Sequence, residues 1–159
     1  MLKVLFVCLG NICRSPMAEG LFLHYVKQAQ LEDQIEVDSA GTGGWHVGEL
    51  PDSRMRATAK KHNIPLPSLA RKAIAADFAK FDYILAMDAS NYQDLQRLAD
   101  RQAGAKAQLF KMRYFDEQAP NADVPDPYWG GDQGFENVYQ MLDRATQKLL
   151  AHIREEQGI

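Results

Sequence analysis

A change of hydrophobic period near the start of the chain constrains its fold more than any other feature. Leu2-Lys3-Val4-Leu5-Phe6-Val7 is a nearly continuous apolar run, the pattern of a strand buried on both faces. Past Ser15-Pro16 the period lengthens, and Ala18, Leu21, Phe22, Tyr25 and Val26 mark one face of a helix reaching about Gln30. Ser15 suits its N-cap and Pro16 its first helical position. A doubly buried strand running into a helix opens a βα unit, and the next strand is expected to lie parallel to the first.

The alternation continues. Strands are predicted at Ile35 to Ala40, Phe81 to Met87 and Ala107 to Phe110. Helices are predicted near Asp52 to His62, capped by Asp52 or Ser53, and from Asp88-Ala89-Ser90-Asn91 onward. Phe135, Val138, Tyr139, Leu142, Leu149, Leu150 and Ile153 trace a long closing helix. Gly41-Thr42-Gly43-Gly44-Trp45 reads as a loop, and residues 111–134, rich in Pro, Gly and Asp, read as irregular. The expected class is α/β, three layers, with a four-stranded parallel sheet and helices on both faces. At 159 residues the chain fits a single domain, 1–159, and a domain of that size buries roughly 68–70% of its unfolded surface without disulfide or metal.

Composition narrows the function classes. Two cysteines, Cys8 and Cys13, are too few for a disulfide framework or a structural zinc site, and His24, His46, His62 and His152 are too scattered to complete one. Neither cofactor nor metal is expected. A net charge of −3 argues against a broad basic face for nucleic acid or membrane while leaving room for a small positive pocket. The apolar run from Val4 to Leu9 is too short for a secretory segment. No run approaches the roughly 18 apolar residues of a membrane span. A reduced, cytoplasmic protein is the expectation.

In parallel sheets ligands sit at the carboxyl ends of strands where the winding reverses. The turn there reads Cys8-Leu9-Gly10-Asn11-Ile12-Cys13-Arg14-Ser15-Pro16. Five residues between Cys8 and Arg14 suffice to wrap successive N–H groups around a tetrahedral anion. Gly10 can take a positive φ, and Asn11 is the next most tolerant type. The helix behind the turn aims its positive end at the same place, and Arg14 offers a fork for two phosphate oxygens. Cys8 lies under this bowl, where a helix N-terminus, a cation and the Ser15 hydroxyl favour the thiolate form. The strand is thus followed by a phosphate-binding loop with a nucleophile at its floor. A phosphatase also needs a group to protonate the leaving oxygen, a service typically worth about 10²–10⁴-fold. Asp126 stands in Val124-Pro125-Asp126-Pro127-Tyr128-Trp129-Gly130-Gly131, whose prolines limit its freedom. Asp before Pro is equally a turn former, so the residues alone leave both roles open.

CLGNICRSP and the later Asp126-Pro127-Tyr128 resemble the low-molecular-weight protein tyrosine phosphatases, and the likeness runs along essentially the whole chain. It implies a phosphocysteine mechanism with Cys8 as nucleophile, Arg14 and the loop residues Leu9, Gly10, Asn11, Ile12 and Cys13 as the phosphate cradle, Ser15 assisting the sulfur, and Asp126 as general acid. It implies that Trp45, Tyr128 and Trp129 wall a slot for the phosphotyrosine ring; the alternative is that either tryptophan covers the core edge. It implies that Cys13 can guard Cys8 through a reversible disulfide, the alternative being plain packing. Asn11, Ser39 and His62 match a network that steadies the loop, or are ordinary cap and surface residues. The expected partners are phosphotyrosine proteins, with inorganic phosphate or other oxyanions as product or inhibitors, and the expected state is a monomer. Rival readings on the same fold are an arginine phosphatase, which characteristically carries threonine where Ile12 stands, and an arsenate reductase, whose thioredoxin-coupled form needs downstream cysteines that this chain lacks. A non-catalytic phosphopeptide- or anion-binding module is a further alternative, though it has no use for both a nucleophile and an acid.

Overall fold

The computed structural model describes residues 1–159. Strand β1, Leu2–Cys8, sends alternate side chains to opposite sides. Val4, Phe6 and Cys8 enter the larger of two cores, and Leu5 and Val7 the smaller. The larger core is closed by helices α1 (Arg14–Gln28), α2 (Ser53–Lys61) and α5 (Gly131–Gln157), the smaller by α3 (Asp77–Lys80) and α4 (Ala89–Asp100). This is the expected three-layer α/β arrangement.

The remaining strands are β2 (Ile35–Gly41), β3 (Tyr83–Ala86) and β4 (Gln108–Lys111), and all pairs are parallel in the order β2-β1-β3-β4. Leu2 pairs with Ile35 and Val4 with Tyr83, so β1 is central. The chain leaves β1 to one side for β2 and returns to the other side for β3. That reversal opens a crevice at the carboxyl end of β1, where Cys8 is the last strand residue.

Several boundaries differ from expectation for local reasons. Helix α1 begins at Arg14, with Cys13 in the cap position, so Ser15 is not its N-cap and Pro16 is its third residue rather than its first. It ends at Gln28, because Gln30 adopts φ +58°. Strand β3 is shorter than Phe81 to Met87, since the Phe81 amide closes α3 by bonding the Asp77 carbonyl. Residues 111–134 are less irregular than expected: they hold 3-10 turns at Met112–Phe115 and Pro127–Trp129, and α5 starts at Gly131, four residues before Phe135. No helix is long and apolar enough to cross a membrane.

Candidate active site

The segment between Cys8 and α1 folds back on itself with its carbonyl groups turned outward. The Cys8, Leu9 and Ile12 carbonyls accept from the Thr42, Gly43 and Asp52 amides at 2.9, 2.8 and 2.7 Å. No backbone N–H from Leu9 through Ser15 donates to an acceptor within the protein. Consecutive unpaired amides at a helix N-terminus form an anion-binding concavity. The residue that makes the bend is Asn11, at φ +56°; Gly10 does not have a positive φ. At Gly10 a Cβ would sit 3.1 Å from the His46 ring, so that ring would have to shift slightly to admit one. Gly41 is more constrained, since its Cβ would stand 2.7 Å from the Leu9 carbonyl oxygen.

Beneath the loop runs a chain of side-chain hydrogen bonds. The Ser15 hydroxyl lies 3.0 Å from Cys8 Sγ. Asn11 Nδ2 donates to Ser15 Oγ at 2.8 Å and to Ser39 Oγ at 3.0 Å. Ser39 donates to Glu19 at 2.6 Å, and Ser68 donates to the other Glu19 oxygen at 2.5 Å. Asn11 uses both its amide hydrogens as donors here, and Ser39 commits its hydrogen to Glu19. Ser15 therefore accepts from Asn11 and can turn its own hydrogen to the sulfur at 3.0 Å, its other acceptor being the more distant Ala40 carbonyl at 3.4 Å. Burial pushes the Glu19 carboxyl above its ordinary range, with the Ser39 and Ser68 hydrogen bonds pulling the other way. His62 is not a member of this chain. Its Nε2 bonds Glu136 at 2.9 Å, and its ring stacks on Tyr139 at 3.6 Å between centroids. The chain beyond Ser39 is continued by Glu19 and Ser68 instead.

Arg14 is buried, 2% exposed. Its Nη1 donates to Asp88 at 2.7 Å and to the Val124 carbonyl at 3.0 Å, and its Nη2 lies 3.6 Å from Asp126 Oδ2. Burial disfavours the guanidinium charge, but Cys8, Asp88 and Asp126 together outweigh it and raise its basicity. Burial, with Asp52 and Cys8 adding to it, pushes the Cys13 thiol up, so Cys13 is held as a neutral thiol. Both cysteines are free.

Ten of the twelve predicted site residues line one cavity of about 300 Å³: Cys8, Leu9, Gly10, Ile12, Cys13, Arg14, Trp45, Asp126, Tyr128 and Trp129. Asn11 and Ser15 are buried below it, and His46, which sequence reasoning gave no role, joins the lining. Trp45 and Trp129 are 72% and 87% exposed, so neither covers the core edge. The Tyr128 and Trp129 rings meet edge to face at 4.9 Å. No cluster of three or more His, Cys, Asp or Glu is arranged to hold a metal ion. Sequence reasoning missed Asp88, Ser68 and Arg71, which come from distant segments, the Arg71 amide donating to Asn11 Oδ1 at 3.0 Å. It also missed Glu19, which lies one turn past Ser15 on α1.

A model of the family described as low molecular weight phosphotyrosine protein phosphatase matches residues 3–158. The chain is 45% identical over 153 residues to the low molecular weight phosphotyrosine protein phosphatase of Schizosaccharomyces pombe, covering 96% of this chain and 97% of that one. Among solved structures it resembles a protein tyrosine phosphatase from Entamoeba histolytica with Hepes in its active site (TM-score 0.90, 41% identity, 99% of each chain). It also resembles a Drosophila arginine phosphatase (TM-score 0.89, 35% identity, 96% and 98% of the chains). With that identity extending from end to end, the chain belongs to the low molecular weight phosphotyrosine protein phosphatase family.

Proposed function

We propose that this protein hydrolyses phosphotyrosine in phosphoproteins, and small aryl phosphates, in two steps through a phosphocysteine at Cys8. The observation that carries the reading is the run of unpaired amides from Leu9 to Ser15 closing around the Cys8 sulfur, with Arg14 and Asp126 on one rim. In the first step the Cys8 thiolate attacks phosphorus while the amides and Arg14 bind the equatorial oxygens. The P–O bond to the phenol breaks, and the Asp126 carboxyl gives its proton to the leaving oxygen. In the second step a water attacks the phosphocysteine, and the Asp126 carboxylate takes a proton from it. The P–S bond breaks, and the departing thiolate is received by the Ser15 hydrogen bond. Inorganic phosphate leaves.

Trp45, Tyr128 and Trp129 form walls that fit an aromatic ring, and ring pairs contribute about 0.5–1.5 kcal/mol beyond area burial. Ile12 at the loop floor favours the tyrosine ester over phosphoarginine, so the ratio of rates on the two compounds discriminates against the arginine phosphatase reading. The protein is read as one domain, 1–159, acting as a monomer in the cytoplasm. Its net charge of −3 argues against a broad basic face for nucleic acid or membrane. The test is the Cys8→Ser variant with a trapping experiment. Turnover of para-nitrophenyl phosphate should vanish while inorganic phosphate still binds, and wild-type protein quenched in acid during turnover should carry one phosphoryl group at Cys8. A fully active Cys8→Ser protein would sink the mechanism.

A further inference from the structure

Arg54, in the first turn of α2, joins the two halves of the site. Its Nε and Nη2 grip the two carboxylate oxygens of Asp52 at 3.1 and 3.0 Å, a bidentate pairing. Its Nη1 donates to the Tyr128 carbonyl at 3.1 Å. The guanidinium also lies over two rings, 5.0 Å from the centre of Tyr128 and 4.7 Å from that of Phe135. Each end of this bridge reaches the chemistry. On one side Asp52 caps α2, and its amide bonds the Ile12 carbonyl at 2.7 Å, anchoring the cysteine loop. On the other side Tyr128 belongs to the 3-10 turn that begins after Asp126, and its amide donates to Asp126 Oδ1 at 3.1 Å. Asp126 itself is half exposed, so its place above the sulfur depends on how that turn is held.

We propose that Arg54 is a positioning residue that holds the Asp126 turn over the Cys8 loop and so sets the reach of the general acid to the leaving oxygen. The proposal rests on the phosphocysteine reading above. It requires the planar fork rather than a positive charge alone. A lysine ammonium cannot pair bidentately with Asp52, reach the Tyr128 carbonyl and stack on the rings of Tyr128 and Phe135 at once. A displacement near 1 Å at a reacting group can cost about 10²-fold, and here the loss should fall on the step the acid serves.

The experiment compares kcat/KM, which reports ester cleavage, on phenyl phosphate, whose leaving group needs a proton, and on para-nitrophenyl phosphate, whose leaving group needs it less. Arg54→Met should lower the first about tenfold to a hundredfold and the second by less than about threefold. Arg54→Lys should show the same selective loss. In an Asp126→Asn background Arg54→Met should change neither value, because the group it positions is gone. Equal losses on both substrates, full activity of Arg54→Lys, or a further loss in the Asp126→Asn background would each overturn the proposal. Should Arg54→Met fail to fold, judged by its urea unfolding curve, Arg54→Lys carries the same comparison. If Asp126→Asn alone keeps its rate on phenyl phosphate, the acid assignment itself falls, a result separable from any in which only the Arg54 variants misbehave.

Discussion

Asn11 offers the sharpest test of how the loop is held. It is 2% exposed and sits at φ +56°. Its side chain makes three hydrogen bonds: to Ser15 Oγ at 2.8 Å, to Ser39 Oγ at 3.0 Å, and from the Arg71 amide at 3.0 Å. Such bonds are worth about 1 kcal/mol each, more where a buried partner is left unpaired. Asn11→Gly accepts the left-handed backbone but loses all three, and it loosens the unfolded chain by about 0.5–1 kcal/mol. It should therefore destabilise by about 3–4 kcal/mol. Asn11→Ala loses the same bonds and avoids the glycine entropy cost. It keeps a Cβ at a positive φ, however, without the side-chain bonds that let Asn tolerate it, at about 1–2 kcal/mol, so it should fall about 0.5–1 kcal/mol below Asn11→Gly. Asn11→Asp keeps the backbone and the acceptor for Arg71 but turns lone pairs toward Ser15 and Ser39. The new negative charge, one hydroxyl away from the sulfur, should weaken inorganic phosphate as an inhibitor more than either other variant does. Urea unfolding gives the stability order wild type, Asn11→Gly, Asn11→Ala. If Asn11→Ala lies within 1 kcal/mol of wild type, or above Asn11→Gly, the loop does not depend on this bend and the reasoning fails.

Two further substitutions probe the scaffold. Gly20→Ala in α1 would put a Cβ 2.7 Å from the Pro65 carbonyl oxygen and 2.8 Å from Leu66 Cδ2. Overpacking against backbone costs about 1–3 kcal/mol, so the variant should have a lower urea midpoint despite the better helix propensity of Ala; a higher midpoint would refute the contact. Glu19 is held above its ordinary value of 4.5, so its contribution to stability is present below that pH and is lost as pH rises through the raised value. Glu19→Gln does not titrate there, and its stability relative to wild type should improve between pH 4 and pH 8; a difference that stays constant with pH would contradict the burial argument.

Much of the fold was legible because its signals are local. The doubly buried run of β1 and the helical stripe of α1 are contiguous, and both lie within a residue or two of where the pattern put them. Helix α3 escaped notice because four residues are too few to show a period. Its Asp77 accepts from the Ile74 amide and from Arg71, side-chain bonds with no repeating trace. The early start of α5 was hidden by Gly-Gly-Asp-Gln-Gly, which reads as loop. The Pro127–Trp129 turn and a Gln133–Asn137 hydrogen bond at 2.9 Å carry the helix through it.

The site divides along the same line. Cys8 to Arg14 could be read because seven consecutive residues hold the whole cradle. The residues that orient the cradle could not, since Asp88 lies 74 positions from Arg14 and Arg71 lies 60 from Asn11. The misplacement of Ser15 shows why local logic misled. A serine just before proline at the start of a helical stripe is a good N-cap, and a cap would satisfy one of the amides at that end. A helix end built to hold an anion has to leave those amides free. Here the hydroxyl turns toward Cys8 instead, and α1 begins with no side-chain cap. Forgoing the cap costs about 0.5–2 kcal/mol. Met17, Leu21 and Phe22, all fully buried against the sheet, offset that loss, each by about 1.5–3 kcal/mol. The helix is thus held by its packed face, and its N-terminus is released for the ligand.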